Sequence, residues 1–267
     1  MAEAGPLSGA GKRSASGRIL DPVLLVRVAI VAVTLAAWEA LAASGLLYRD
    51  VVPSLTRIGG ALSGVVSDPA FYWNLRVTAE EVVAGLLIGG GGGLAVGLMM
   101  GTSKFFSRAY EPILYWLAPT PKIIFFPVMI MLFGVGQGSK IGIGVISCFF
   151  PIALSVAAGM RGIDKVLIRV GRSFRANAWQ MVTKVYLPAM RAPILNGIRL
   201  GFGLAVIATL LAETKLSNQG LGYMVIQAYS LFNMPLMYAV LIIVFAISIT
   251  MNSLLEWLAV GATERGR

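Results

Sequence analysis

Five long apolar runs set the strongest limit on what this chain can fold into. They cover about residues 23–43, 81–101, 139–160, 194–214 and 236–260. Each run reaches the roughly 20 residues that a helix needs to cross the hydrocarbon core of a bilayer. Hydrophobic residues make up 57% of the chain and charged residues only 13%, and the mean hydropathy is +0.81, well outside the range of soluble domains. The sequence therefore predicts an all-α membrane protein.

A sixth apolar stretch, residues 112–134, is long enough to cross a membrane but is interrupted. Pro119, Pro121 and Lys122 fall near its middle. Proline removes a backbone donor and clashes with the preceding turn, so the helix should break there. We count this stretch as a discontinuous span, which gives about six transmembrane helices. Residues 54–80 alternate short apolar and polar pieces, which favours one or two interfacial helices.

Lysine and arginine indicate the orientation of the spans, because these residues collect on cytoplasmic loops. With the N-terminus inside, fourteen of them fall on cytoplasmic segments and five on the opposite side, and seven of the fourteen lie between residues 161 and 191. The prediction is a cytoplasmic tail over residues 1–22, a transmembrane domain over residues 23–260 and a second cytoplasmic tail over residues 261–267.

A cleaved signal peptide is the rival interpretation of the first apolar run. The triplet Ala40-Leu41-Ala42 has the small residues of a signal-peptidase site. The preceding basic region is long, however, and Trp38 and Glu39 stand just before the triplet, which is unusual at such a site. We expect the first run to remain as a membrane anchor.

Glycine recurs at every fourth position of the second apolar run, at Gly85, Gly89, Gly93, Gly97 and Gly101. This spacing keeps the glycines close to one helix face and lets another backbone approach it. The run at 194–214 repeats the spacing with Gly197, Gly201, Ala205, Thr209 and Ala212. We expect two tightly packed helices, either against each other or across a subunit boundary, and helix packing rather than substrate contact.

The composition argues against an enzyme, because the usual catalytic residues are scarce. Histidine is absent, and the single cysteine, Cys148, lies inside an apolar run, so the commonest general base and metal ligand is missing. No acids cluster inside the predicted spans. No G-x-x-x-x-G-K-[ST] sequence occurs, so any ATP would be bound by a separate subunit. We expect no catalytic residue, metal site or cofactor in this chain.

The loop between the fourth and fifth apolar runs, residues 161–193, carries the densest positive charge. Its spacing predicts two short amphipathic helices, the first with Val166, Val170 and Phe174 on one stripe. Asn177 should begin the second helix in a capping box with Gln180, and Pro188 should end it. The two helices would form a compact projection from the membrane.

Three uses of this loop compete. The arginines can rest on lipid headgroups as the positive-inside pattern requires. Nucleic-acid binding fits poorly, although the net charge is +10, because the basic cluster is small and fixed at the membrane. Docking to a soluble partner is favoured by Phe174 and Trp179, since buried aromatic anchors dominate interface energies.

The run IDKVLIRVGRSFRANAWQMVTKVYLPAMRAPILNGIRLG resembles the coupling loop, often called the EAA loop, of ABC importer permeases. The similarity extends through PTPKIIFFPVMIMLFGVGQGSKI and LAETKLSNQGLGYMV and covers about residues 80–260. In detail it is similar to the sulfonate, taurine and nitrate branch. The resemblance implies a type I importer fold in a bacterial inner membrane. It also implies a homodimer of permeases on two ATPase subunits, fed by an extracytoplasmic substrate-binding protein.

The resemblance further implies that the loop docks into a groove of the ATPase. The docking residues would be Arg169, Gly171, Arg172, Ser173, Phe174, Arg175, Ala176, Asn177 and Trp179. Arg169-Val170-Gly171 stands where the family motif begins Glu-Ala-Ala, which predicts an ATPase groove with an acidic complement. Arg175 stands where a glycine is expected, which argues against the usual tight turn. The positions that do match the pattern are Trp179, Pro188, Gly197, Glu213, Gly220, Leu221 and Gly222.

Two charged residues are candidates for a path through the membrane, because ionisable groups inside spans are rare and usually functional. Lys122 lies in the broken span, or else at the cytoplasmic interface. Glu213 precedes the irregular TKLSNQGLG and would either line the mouth of the path or satisfy backbone groups of that loop. The predicted function is a permease subunit for a small anion such as a sulfonate, taurine or nitrate. The resemblance also extends to permeases for other cargo, so a thiamine-precursor pyrimidine or another small organic molecule is the alternative substrate. A stand-alone secondary transporter or channel is the alternative function.

Overall fold

The computed structural model describes residues 22–46 and 51–264, with side chains as far as residue 258. All the regular structure in these ranges is helical. The helices are α1 (Pro22–Ser44), α2 (Leu55–Ser67), α3 (Pro69–Thr102), α4 (Lys104–Leu117), α5 (Phe126–Phe133), α6 (Gln137–Arg161), α7 (Lys165–Ser173), α8 (Ala178–Gln180), α9 (Leu187–Ala189), α10 (Arg191–Lys215), α11 (Leu221–Ser230) and α12 (Met234–Glu264). A 3₁₀ turn, Lys122–Phe125, precedes α5, and a π-helical stretch, Met181–Tyr186, joins α8 to α9.

The predicted spans are confirmed. Within the described ranges, five helices are long and apolar enough to cross a membrane: α1, α3, α6, α10 and α12 as far as Leu258. The interrupted stretch is a bent pair, Lys104–Leu117 and Lys122–Phe133, with an angle of 93° between its arms. The break falls at the predicted proline pair, so the chain has up to six spans.

Helix α3 is longer than its apolar run. Of the one or two separate helices predicted over residues 54–80, the structure has one, α2, and residues 69–80 instead form the first turns of α3. Asp68 caps α3 by accepting a hydrogen bond from the N–H of Ala70 at 2.9 Å, and Pro69 takes the first helical position, where its missing N–H costs nothing. At 34 residues, α3 is about 51 Å long and exceeds the hydrocarbon thickness.

Both small-residue stripes pack on α6, and the three helices α3, α6 and α10 form a block. A Cβ atom added to Gly93 would lie 2.7 Å from the carbonyl oxygen of Phe149, and one added to Gly201 would lie 2.8 Å from Cδ1 of Ile152. The remaining glycines of the two stripes also face α6, namely Gly85, Gly89, Gly97, Gly101 and Gly197. The expectation that the stripes meet each other or cross a subunit boundary is therefore corrected, because α6 of the same chain lies against both.

Two further contacts complete the larger unit, residues 56–267. Val65 of α2 and Phe71 of α3 pack with Leu221 of α11 and Val240 of α12 in a small core. At the other end of the helices, Arg161 donates two hydrogen bonds to Glu111, at 2.8 and 2.9 Å, and so ties the end of α6 to α4.

Helix α1 belongs to a separate unit, residues 1–55. It continues without a break through the Ala40-Leu41-Ala42 triplet. The indole N–H of Trp38 donates to the carbonyl of Pro53 at 3.0 Å, and Glu39 accepts from the N–H of Leu55 at 2.9 Å. The retained anchor stays a prediction. The predicted tails lie outside the described residues, except for Pro22 and the last turn of α12.

Candidate functional site

The loop between α6 and α10 folds into the two predicted helical arms, and we call residues 164–189 the knob. Asp164 begins the first arm, α7, by accepting a hydrogen bond from the N–H of Val166 at 2.8 Å. The second arm begins at Asn177, whose side chain accepts from the N–H of Gln180 at 2.8 Å while the Gln180 side chain accepts from the N–H of Asn177 at 3.0 Å. The predicted capping box is confirmed.

The turn between the two arms corrects the expectation at Arg175. This residue adopts the left-handed conformation, with φ of 52°, although glycine is the usual occupant of such a position. The N–H of Ala176 donates to Gly171 O at 3.1 Å and the N–H of Arg175 donates to Arg172 O at 2.9 Å. This pair of bonds is the Schellman ending of a helix. The tight turn is therefore kept with an arginine in it.

The arms pack directly on each other at Gly171. A Cβ atom there would lie 2.7 Å from Sδ of Met181 and 3.2 Å from Cγ2 of Val185, both on the π-helical stretch. Gly171 is buried, whereas the other residues implied in docking are exposed or half-buried. The knob is thus a fixed shape rather than two independent helices.

The outer surface of the knob is apolar with a basic border. The side chains of Phe174 and Trp179 are 83% and 74% exposed. A cleft of about 680 Å³ lies between the arms, and Val170, Phe174 and Lys184 are among its lining residues. Arg169 and Arg172, at the border, are exposed. Large exposed apolar side chains beside positive charge are typical of a surface that binds another protein.

Lys122 lies at the 93° bend of the broken span. Its Nζ donates to the carbonyl of Leu117 at 2.9 Å and to the carbonyl of Ala118, and it lies 4.9 Å from the ring centre of Phe150. Carbonyls at the end of a helix lack partners within the helix, so Lys122 satisfies those that the break leaves open. In the described structure Lys122 caps the end of α4.

Glu213 lies at the opposite end of the α3–α6–α10 block from the knob and is fully buried. Its Oε1 accepts from the hydroxyl of Thr78 at 2.7 Å, and its Oε2 accepts from the N–H of Gly222 at 2.6 Å. The same hydroxyl accepts from the N–H of Leu221 at 2.8 Å. Of its two predicted roles, the geometry contains the second, which is to satisfy the backbone of the irregular segment before α11.

Two more charged side chains lie beside Glu213, and we call the three the buried cluster. Glu81 of α3 is 1% exposed and Lys140 of α6 is 2% exposed. Glu81 lies one helical turn after Thr78, whose hydroxyl donates to Glu213, so the Glu81 carboxyl group is on the side of α3 that faces Glu213. Lys140 donates to the carbonyls of Val135 and Gly136. The expectation that no acids cluster inside the spans is wrong, because tertiary packing brings α3 and α10 together.

A cleft of about 660 Å³ lies at this end of the molecule, and some of its lining residues are bonded or adjacent to the buried cluster. One wall is the turn at Val135 and Gly136, which Lys140 holds. The other contains residues 214–218, which follow Glu213. The polar residues Lys215, Asn218 and Tyr223 are among those that line it. The cluster thus positions both walls of a cleft that is open to solvent.

Residues 93–262, more than half of the chain, match the family described as the binding-protein-dependent transport system inner membrane component. The chain belongs to this family. The permease is accordingly a multi-pass inner-membrane transport component and not an enzyme.

Several curated relatives of the permease are similar over most of their length. A protein named as an aliphatic sulfonates transport permease, SsuC of Bacillus subtilis (strain 168), is 32% identical over 197 residues, which cover 74% of this chain and 71% of SsuC. The taurine transport system permease protein TauC of Escherichia coli (strain K12) is 28% identical, with 77% of each chain covered. The nitrate import permease protein NrtB of Leptolyngbya laminosa is 25% identical, with 73% of this chain and 70% of NrtB covered.

Solved structures share the fold of the permease. A subunit of the MetNI methionine ABC transporter, in an inward-facing conformation, superposes with a TM-score of 0.59 at 20% identity, covering 73% of this chain and 99% of the other. A chain of an amino acid ABC transporter superposes with a TM-score of 0.54 at 18% identity, covering 76% and 97%. The fold is therefore the type I importer fold that the sequence predicts.

Sequence reasoning missed the buried cluster but had a signal for it. Glu81 lies four residues before Gly85 and Glu213 lies four residues after Thr209, so each acid is one four-residue step from a member of a small-residue stripe. Lys140 precedes Gly144, the residue that Gly85 contacts, by the same interval. A charge placed in register with a packing stripe faces the partner helix, which would have directed attention to all three.

Proposed function

We propose that this permease forms the path for a small anion across the inner membrane and is driven by a separate ATPase that docks on the knob. The observation that carries the proposal is the exposure of Phe174 and Trp179 on a rigid two-armed knob, in a chain that belongs to a transport family. ATP would be bound by the partner, since this chain has no phosphate-binding loop.

The assembly we propose has two permease chains, two ATPase subunits and one extracytoplasmic substrate-binding protein. The knob and both chain termini lie in the cytoplasm in this arrangement. The distribution of charge supports the orientation, because lysine and arginine concentrate on the knob side of the spans. The cleft in front of the buried cluster then faces the binding protein.

Arg169, Arg172 and Arg175 border the apolar surface of the knob and, within the described ranges, take part in no ion pair. They complement an acidic rim on the ATPase, as expected from Arg169 in place of the glutamate of the family motif. Paired charges at such a rim mainly set the choice of partner and the rate of association, while the buried aromatic side chains supply most of the affinity.

The substrate we propose is a sulfonate, taurine or nitrate, on the strength of the names of the curated relatives. Lys215 on the lining of the outer cleft suits an anion electrostatically. Lys122 and Glu213 belong to this path through the backbone segments that they fix. A thiamine-precursor pyrimidine remains the alternative cargo, and a stand-alone secondary transporter or channel remains the alternative function.

Copurification tests the docking surface. We expect the tagged permease, extracted from its native membrane in mild detergent, to bring an ATPase with it. A Phe174→Ala, Trp179→Ala double variant should lose most of that ATPase, because truncation of central aromatic anchors costs at least about 2 kcal/mol each and so roughly 30-fold in affinity. A Trp73→Ala, Tyr229→Ala variant is the matched control, since both side chains are 56% exposed and lie at the opposite end of the block.

The outcomes separate the candidate functions. An ATPase that is retained by the control and lost by the knob variant supports the importer. A permease that purifies alone, and that carries solute in vesicles without ATP, would make it a stand-alone transporter. Uptake of labelled taurine, nitrate and a hydroxymethyl-pyrimidine by the complete complex then distinguishes the proposed anion from the alternative cargo.

A further inference from the structure

The buried cluster contains more negative than positive charge. Glu81, Glu213 and Lys140 lie on three different helices, and all three side chains are buried. With every group ionised, the cluster would carry a net charge of −1 in the interior of the bundle. An uncompensated buried charge costs several kcal/mol, so the folded chain favours a ligand that brings one positive charge.

The two carboxyl oxygens of Glu81, which lack donors in the described part of the chain, identify the position of that ligand. Glu213 already accepts hydrogen bonds at both of its oxygens, from Thr78 and Gly222. Neither oxygen of Glu81 accepts a bond from any N–H or O–H group of the described residues. The carboxyl group that Glu81 faces is that of Glu213, which Thr78 of the same helix face contacts. An ionised carboxyl group offers lone pairs but no donor. Two carboxyl groups can bond to each other only if one of them holds a proton.

The layer next to the cluster gives a second observation. The hydroxyl of Thr209, one helical turn from Glu213, is also fully buried and has no hydrogen-bond partner among the described residues. It lies over Gly144, where a Cβ atom would be 3.3 Å from the hydroxyl oxygen. Buried polar atoms without partners among the described residues therefore occur on both α3 and α10, where these helices pack on α6. The backbones of α3 and α6 approach closely beside these atoms, since a Cβ atom on Gly85 would lie 3.3 Å from Cα of Gly144, which favours a proton over a hydrated ion.

We propose that Glu81 and Glu213 form a proton-binding site, in which Glu81 holds one proton and donates it to Glu213. Lys140 is the counter-ion of the pair. The three groups then sum to zero charge and both carboxyl groups have partners. Glu81, Glu213 and Lys140 are the charged groups that α3, α10 and α6 each direct into the site. The proton allows Glu213 to stay bonded to the segment before α11 while Lys140 holds the turn before α6.

Infrared spectroscopy of the full-length permease in lipid nanodiscs tests this site directly. A protonated carboxyl group has a carbonyl stretching band that an ionised one lacks. At neutral pH we expect that band in the wild-type chain and its loss in Glu81→Gln, whose amide keeps the shape and the donor. Glu80→Gln is the matched control, because Glu80 is the preceding residue but is half exposed and paired with Arg76 at 2.7 Å.

The pH dependence of stability gives a second arm. The folded chain holds a proton that the unfolded chain releases at neutral pH, so its melting temperature should fall as the pH rises, until the site has lost the proton. Glu81→Gln should flatten this dependence and Glu80→Gln should not.

Three results would overturn the proposal. They are a wild-type spectrum without the band at neutral pH, a band of undiminished size in Glu81→Gln, and a melting temperature that rises on addition of sodium or magnesium ions in place of the proton. If Glu81→Gln fails to fold, a pH titration of the wild-type chain decides. Raising the pH must then remove the carbonyl band and lower the melting temperature over the same range.

Discussion

The two ends of the α3–α6–α10 block differ in whether their functional side chains are exposed or buried. The knob exposes its large apolar side chains and its charges, with Phe174 83% exposed. The buried cluster withdraws two carboxyl groups and an amine from solvent, and Glu213 and Lys140 bond to neighbouring backbone groups. Groups left exposed at one end contribute little to the fold, whereas those enclosed at the other end determine the local backbone. The difference indicates that the knob acts on another molecule and that the cluster acts on its own chain.

The largest effect on stability should come from a substitution in the buried cluster. Glu213→Ala leaves the Thr78 hydroxyl and the Gly222 N–H without their acceptor, and we expect it to lower the free energy of unfolding by about 3–5 kcal/mol. Glu80→Ala, which removes an exposed ion pair, should change it by no more than about 0.5 kcal/mol. Thermal unfolding in detergent measures both, and equal melting temperatures would remove the distinction between the two ends.

The Phe174→Ala, Trp179→Ala variant tests how much the knob contributes to stability. Its melting temperature should stay close to that of the wild-type chain, because the truncated side chains are exposed, even though the ATPase is lost. A large fall in melting temperature would instead mean that these aromatic side chains serve the fold.

The packing contact between α3 and α6, midway between the two ends, should have an intermediate effect on stability. A Cβ atom on Gly89 would lie 2.9 Å from Cα of Val145, and backbone atoms cannot move aside cheaply. We expect Gly89→Ala to lower the free energy of unfolding by about 1–3 kcal/mol. Gly91→Ala is the control, since nothing lies within 4 Å of its added methyl group, and it should be tolerated or slightly stabilising.

The smallest effect should come from the turn of the knob. Left-handed backbone costs an L-residue about 1–2 kcal/mol, so Arg175→Gly should stabilise the turn by at most about 1 kcal/mol and keep ATPase binding. Arg175→Val should weaken both, because a β-branched side chain fits this conformation poorly. Hydrogen exchange at the amide of Ala176, which closes the turn, reports the difference. Slower exchange in Arg175→Val than in Arg175→Gly would contradict the account.

Local signals predicted most of the knob and of the spans. The apolar runs, the Pro119 and Pro121 break and the Asn177–Gln180 capping box each depend on residues within about one span of each other. Arg175 was misjudged because its turn is closed by backbone hydrogen bonds, which a sequence does not display. The polar residues that begin α3 were taken for an interfacial segment because they interrupt the apolar run, although they continue the same helix.

The buried cluster lay beyond such signals because its members meet only after the chain has folded. Thr78 and Glu213, for example, are 135 residues apart in sequence. A hydropathy pattern assigns each acid to the end of its own span and says nothing about the helix opposite. What could have been noticed is the register of the acids with the glycine stripes.

The glycine seam has a mechanical consequence. The glycines of α3 and α10 let side chains of α6 pack directly against the neighbouring backbones, so the three helices have little room to slide or tilt separately. The knob is joined covalently to α6 at one arm and to α10 at the other. A force applied there is delivered to a stiff lever about 38 Å long, whose far end carries Lys140 and Glu213. Small displacements at the knob would therefore reach the outer cleft as movements of its two walls, rather than being absorbed along the helices.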